Sequence, residues 1–344
     1  MRENTRPNVV RRAKVAAAIG LALIALAEVG LRLAEPHLPE PAQWPSAEAA
    51  AKLSQIGELS ATGEIDVIFV GSSVVAEGID PLAYNDSSGR IAYNAALSAA
   101  SMRATELWVR DVVLQETDPS IVVIGVSGRD LNDNGISQTE FYERLTNSPG
   151  YIDRRKPANP LEHVESWFLQ HSALVRLRPI LRDPAAIVVA QNPGQPGSED
   201  EPDIGAFGSD VSATSGPYTD FGQWRMAWLA RHLNDYSIGN SETEALGRLI
   251  ETLIAHDIEV LLVNMPVTAD YVETLPDGRR DMQELDLILE DIASAAGVEY
   301  LDASAQYEKT DFRDPAHLTP EASSMFARRI ANEARVAGEP SEDL

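Results

Sequence analysis

Two short segments of this chain contain the residue types that acyl-group chemistry needs. The first, Ile68-Phe69-Val70-Gly71-Ser72-Ser73, runs from an apolar stretch into a glycine and two serines. Glycine permits a sharp turn, and a helix starting there offers unpaired backbone N–H groups and the positive end of its dipole. A serine at such a turn is placed to attack a carbonyl, with N–H groups beside it to hold the resulting oxyanion. Taken alone, the segment reads better as an ordinary helix cap. The second segment, Asp311-Phe312-Arg313-Asp314-Pro315-Ala316-His317, sets a carboxylate three residues before an imidazole. That spacing lets Asp314 accept a hydrogen bond from one ring nitrogen of His317, leaving the other to take a proton from a serine. Thr319 and Pro320 cap and begin a helix, which explains the turn but not the histidine. Ser73, His317 and Asp314 are therefore the candidate nucleophile, base and orienting acid.

These residues need a scaffold that brings residue 73 to residue 317. Short apolar strands are expected at 65–70, 90–94, 120–126, 258–264 and 298–302, with amphipathic helices between them. The run 120–126 is almost continuously apolar, as in a parallel strand covered on both faces. The helix at 241–257 opens with a Ser-x-x-Glu capping box. Alternating strands and helices predict a three-layer α/β/α fold around a doubly wound, parallel, five-stranded sheet in order 2-1-3-4-5. Both segments then fall at the carboxyl edge, where such sheets hold their functional residues.

A serine after the first strand and Asp-x-x-His after the last is the arrangement that the SGNH (GDSL-like) hydrolase superfamily resembles, over roughly residues 64–335 apart from a central insertion. The resemblance implies a flavodoxin-like fold and assigns the nucleophile to Ser73, with Ser72 where the family has aspartate. Gly-Ser-Ser is similar to the cell-envelope branch, which includes polysaccharide O-acetyltransferases and teichoic-acid alanyl-transfer proteins. The family's second block implies a backbone donor at Ala99, where glycine is usual. Its third block implies Ser127 in place of the usual asparagine, with Asn132 as a compensating donor. By this resemblance the chain is expected to be a serine esterase or O-acyltransferase acting on an acylated glycan or lipid. The altered second and third blocks keep open a second reading, an inactive envelope scaffold that binds glycan or a partner membrane protein.

Acidic residues outnumber basic ones 53 to 28, for a net charge of −25, which argues against nucleic-acid binding. Residues 1–14 carry +4 and leave −29 on the rest. Residues 15–34 are apolar apart from Glu28 and Arg32 and reach the length of about 20 residues that a span requires. Preceding basic residues predict a cytoplasmic N-terminus and an extracytoplasmic domain. Cleavage after Ala25-Leu26-Ala27 as a signal peptide is the rival. Residues 35–60 read as a Pro-rich spacer and first helix, and 61–338 as the catalytic domain. An insertion at about 134–240 is helical over 160–181 and includes a loop, 192–217, with 13 Gly, Pro or Ser residues. It reads either as a lid or as a solvated excursion. No cofactor is expected: there is no cysteine, Walker loop or dinucleotide motif. His163 and His171 are expected on the surface or in packing, His232 and His256 in helices without partners. No metal is expected at Asp311, Asp314 and His317. Trp167, Trp224 and Trp228 are expected to pack rather than to stack sugars.

Overall fold

The computed structural model describes residues 6–38, 42–63, 65–155, 160–178, 181, 204–209, 227–229, 231–233 and 235–337. Contacts divide the chain into two units, one of Met1–Gln43 with Arg155–Asp200, the other of Trp44–Arg154 with Glu201–Leu344.

In the larger unit the aliphatic runs form one parallel sheet of β1 (Val67–Val70), β2 (Ala92–Asn94), β3 (Ile121–Val126), β4 (Glu259–Asn264) and β5 (Glu299–Asp302). The order is β2-β1-β3-β4-β5, as expected. Phe69 pairs with Asn94 and Val123, and Val126 with Asn264, so β1, β2, β3 and β4 end near one edge. Every residue of β1, β2 and β3 is buried, because helices cover both faces.

Alternate side chains serve opposite layers. Ile68, Val122 and Leu262 pack with α2 (Ala47–Thr62), α5 (Met102–Trp108), α10 (Asn240–Ala255) and α12 (Arg279–Ala296). Phe69, Val123 and Val263 pack with α3 (Ser73–Ala76), α4 (Pro81–Ser88), α11 (Ala269–Val272) and α13 (Pro320–Ala337). Helix starts follow local chemistry: Ser46, Asp80 and Ser101 accept hydrogen bonds from Ala49, Leu82 and Ala104 N–H. The capping box expected at Ser241 does not form. Asp133, remote in sequence, accepts from Ser241 and Glu242 N–H at 3.2 and 3.0 Å. A carboxylate reached by tertiary contact outcompetes the local serine there.

The insertion contributes α6 (Ile136–Asn147) and α7 (Pro149–Arg154) to the larger unit. The helix expected over 160–181 forms as α8 (Pro160–His171) and α9 (Ala173–Arg176), in the smaller unit. Most of 192–217 lies outside the described residues, as does Trp224; Ala206–Gly208 form a single 3-10 turn. The smaller unit also holds α1 (Arg6–Ala34). The helical stretch Arg11–His37, formed by α1 and the 3-10 turn Glu35–His37, is long and apolar enough to cross a membrane, with its apolar side chains exposed.

Candidate functional site

Gly71 ends β1 with φ +150°, and a Cβ there would lie 2.5 Å from both the Gly125 carbonyl oxygen and Val75 Cγ2. Only glycine lets the chain pass β3 this closely and turn directly into α3. Ser73 is the first residue of α3. Asn94 clamps this short helix from β2: its side-chain amide donates to the carbonyls of Val75 and Ile79, both at 2.9 Å.

Ser73 Oγ lies 2.9 Å from His317 Nε2, and His317 Nδ1 lies 2.7 Å from Asp314 Oδ2. The other Asp314 oxygen accepts from Ala316 and His317 N–H at 2.9 and 3.0 Å. Burial raises the Asp314 pKa, but the His317 hydrogen bond and charge and the two backbone donors outweigh it, so the carboxyl titrates below its ordinary value. The carboxylate thus fixes the ring with Nδ1 protonated and Nε2 free to accept from the serine. Glu77 stands 3.9 Å from Nε2, with its carboxylate against the Arg313 guanidinium. Ser72 Oγ is buried, has no hydrogen-bond partner among the described residues and is not among the cleft's lining residues.

The cleft over Ser73 has a volume of about 180 Å³. Ala99 lines it with φ +64°, a left-handed conformation that costs a non-glycine residue about 1–2 kcal/mol. Alanine here holds a conformation that glycine takes more readily. The backbone N–H groups of Ser73 and Ala99 have no hydrogen-bond partner among the described residues. The loop bearing Ala99 is held from α2: the fully buried Lys52 donates to the Ala96 carbonyl at 2.6 Å, and Glu48 accepts from Ser98 N–H at 2.9 Å.

The expected side-chain donors are placed differently. Ser127 reaches the cleft, but its Oγ donates to Asp130 Oδ2 at 2.8 Å. Asn132 is a correction. It is absent from the lining because its amide donates to the His232 carbonyl at 3.2 Å and its oxygen accepts from Asn134 and Ser237 N–H. It serves as a loop brace.

Arg129, Tyr271, Trp228 and His232 also line the cleft and were not assigned to it from sequence. Arg129 is buried; its guanidinium donates to the Ala100 carbonyl at 3.2 Å and reaches Asp130 Oδ1 at 3.3 Å, while its N–H donates to the Tyr271 hydroxyl at 2.8 Å. The expectation that His232 lacks partners is also corrected. Its Nδ1 meets Ser137 Oγ at 2.9 Å. Burial, then the charges of Arg129, Arg231 and His317, push its pKa down to about 3, so the ring is neutral. The local signal available was Arg129 beside Asp130 directly after β3; nothing near His232 marked it. Among the described residues, no group of three or more His, Cys, Asp or Glu side chains is arranged to hold a metal.

No protein-family model matches the sequence, and no curated protein matches it. Structure comparison finds GDSL-like lipases and acetylesterases. A GDSL-like lipase from Bacteroides thetaiotaomicron has a TM-score of 0.43 at 12% identity, over 85% of this chain and 98% of that one. A carbohydrate acetylesterase from Sinorhizobium meliloti has a TM-score of 0.41 at 11% identity, over 79% and 99%. A structure described as a putative acylhydrolase from Bacteroides fragilis has a TM-score of 0.40 at 12% identity, over 83% and 97%.

Proposed function

We propose that this chain is an extracytoplasmic, membrane-anchored serine esterase or O-acyltransferase that works through an acyl-enzyme on Ser73. The observation that carries this reading is the continuous contact from Asp314 through His317 to Ser73 Oγ. In the reaction Ser73 Oγ bonds to the acyl carbon as its proton passes to His317 Nε2. The carbonyl oxygen becomes an oxyanion facing the Ser73 and Ala99 N–H groups, with the Arg129 guanidinium as the cation of the cleft. Collapse expels the alcohol, which takes the proton from His317, and leaves an ester on Ser73. Water or an acceptor hydroxyl then attacks with His317 again as base. The first outcome is hydrolysis and the second is transfer.

The cleft over Ser73 opens to solvent between Ser98, Ala99, Trp228 and His317, so an acyl group can enter from outside. The proposed substrate is an O-acylated envelope glycan or lipid, reached from a domain tethered by α1. A weak or inactive scaffold that binds glycan or a partner membrane protein is the second reading, favoured by the commitment of Ser127 and Asn132 to internal bonds. Hydrolysis of an aryl acetate by the purified full-length chain tests the proposal. Turnover abolished by Ser73→Ala supports it, and no turnover by a folded wild-type chain favours the scaffold.

A further inference from the structure

The two charges that interrupt the apolar stretch of α1 are engaged by the insertion. Glu28 accepts from the Ser172 hydroxyl at 2.8 Å, from Ala173 N–H at 2.9 Å and from Leu174 N–H at 3.1 Å, and Arg32 Nε donates to it at 2.8 Å. Arg32 also donates to the His171 carbonyl, and Arg176 donates to Glu35 at 2.9 Å. Leu31 and Leu38 pack on Ala173 and Leu177. The corner between α8 and α9 is therefore latched to the C-terminal end of α1 by polar groups that leave no charge of that end without a partner.

What the latch holds in place is an apolar face. Leu161, Val164, Trp167 and Phe168 fall on one side of α8, and their exposures are 81%, 54%, 55% and 50%. Such a face on a helix of a water-soluble domain packs inward. Here it stands beside a helix whose own apolar surface is also bare. Tryptophan and phenylalanine beside the polar end of a span are the residues that settle at headgroup depth. The uncharged run from Val15 to Ala27 covers about 20 Å at 1.5 Å per residue, so within the span from Arg11 to His37 the charges of Glu28 and Arg32, and the corner they hold, fall toward the outer end of the ~30 Å hydrocarbon layer.

We propose that α8 lies in the membrane interface beside α1, with its Leu161–Phe168 face among the lipids and Glu28 as the latch that holds it there. This rests on the reading of α1 as a membrane span. It gives the insertion a role in seating the chain on the bilayer.

The sequence contains no cysteine, so one engineered thiol reports one position. An environment-sensitive fluorophore is attached to Val164→Cys, Phe168→Cys, Ile19→Cys in α1 and Glu290→Cys on α12, each in the full chain reconstituted in phosphatidylcholine vesicles. Position 19 is expected to be quenched by lipids labelled deep in the acyl chain, and positions 164 and 168 by lipids labelled near the headgroup. Position 290 is expected to respond only to aqueous iodide. Glu28→Ala should reduce headgroup quenching at 164 at least severalfold and leave position 19 unchanged. If 164 and 168 respond to iodide while 19 is lipid-quenched, the interfacial helix is overturned and the span stands. If both are shielded from iodide and untouched by labelled lipid, a protein surface covers α8 and the proposal is equally overturned. If position 19 also responds to iodide, the span itself fails and α8 with it.

Discussion

On one side of Ser73, a single loop between β5 and α13 supplies both the acid and the base, and backbone N–H groups of that same loop hold the acid. On the other side, the groups facing the cleft come from separate parts of the chain: Ala99 after β2, Ser127 and Arg129 after β3, His232 from the insertion and Tyr271 on α11. The charges are paired on both sides: Glu77 beside the imidazole meets Arg313, and Arg129 across the cleft meets Asp130. In the proposed reaction an imidazolium forms on the first side and an oxyanion on the second, the one beside the Asp314 carboxylate and the other beside the Ser73 and Ala99 N–H groups. A site made by one loop depends on local geometry. A site made by several segments depends on which hydrogen bonds the folded chain has already spent.

Substitutions at the nucleophile and base break the comparison most severely. Ser73→Ala and His317→Ala should each reduce kcat for an aryl ester by roughly 10⁴–10⁶, and the double substitution should add little more, because the two act as one unit. Equal, additive losses in steady-state kinetics would contradict that coupling.

The next effect lies across the cleft. Arg129→Met should cost kcat on the order of 10²–10³ with KM little changed, as loss of an oxyanion-stabilising group does. Ser127→Ala should cost less than about tenfold, since its proton already belongs to Asp130. The reverse ranking would move the stabilising donor from Arg129 to Ser127.

Lys52→Met tests the support behind Ala99. Removing the ammonium leaves the Ala96 carbonyl without its donor and Glu48 without its counter-ion, though still accepting from Ser98 N–H, at a cost of about 1–3 kcal/mol in denaturant unfolding. The activity of the folded fraction should fall because the 96–99 loop loosens. Unchanged kcat in the folded variant would separate that loop from catalysis.

His232 gives a pH signature to the oxyanion side. Its folded pKa of about 3 lies below the ~6.5 of a free imidazole. Between those values the unfolded chain binds a proton that the folded chain does not. Stability therefore falls as pH drops through that window. His232→Gln should flatten this part of the pH–stability curve, measured by chemical denaturation above and within the window. A slope identical to the wild type would contradict a neutral buried ring. Asp314 acts over a lower range: its depressed pKa stabilises the fold above the ordinary carboxylate value, and this is lost as pH falls through the folded one.

The smallest effect belongs to Ser72. Its hydroxyl is buried and has no partner among the described residues, so Ser72→Ala should leave activity intact and match or exceed wild-type stability. A large loss of activity would transfer the nucleophile's role to it.

The base side was legible in sequence because Asp314 and His317 share one turn, and the strand-glycine-serine junction fixes where Ser73 emerges. Sheet order and strand positions were legible for a related reason: β-branched runs such as Ile121–Val126 tolerate little but a buried parallel strand. Ala99 was legible only as a position, since whether alanine would take φ +64° depends on the Lys52 and Glu48 contacts from α2. Asn132 was misread because its amide is used by the insertion, which sequence periodicity could not fold. His232 and Trp228 come from that same insertion and reach the cleft by tertiary packing alone. The Asp133 cap on α10 escaped notice for the same reason.

The most direct test of the account is the site of covalent capture by a fluorophosphonate, read by peptide mass mapping of the full-length chain. A single adduct is expected on Ser73, abolished by His317→Ala because the hydroxyl then lacks its base. An adduct on any other serine, or ester turnover with Ser73 unmodified, would contradict it.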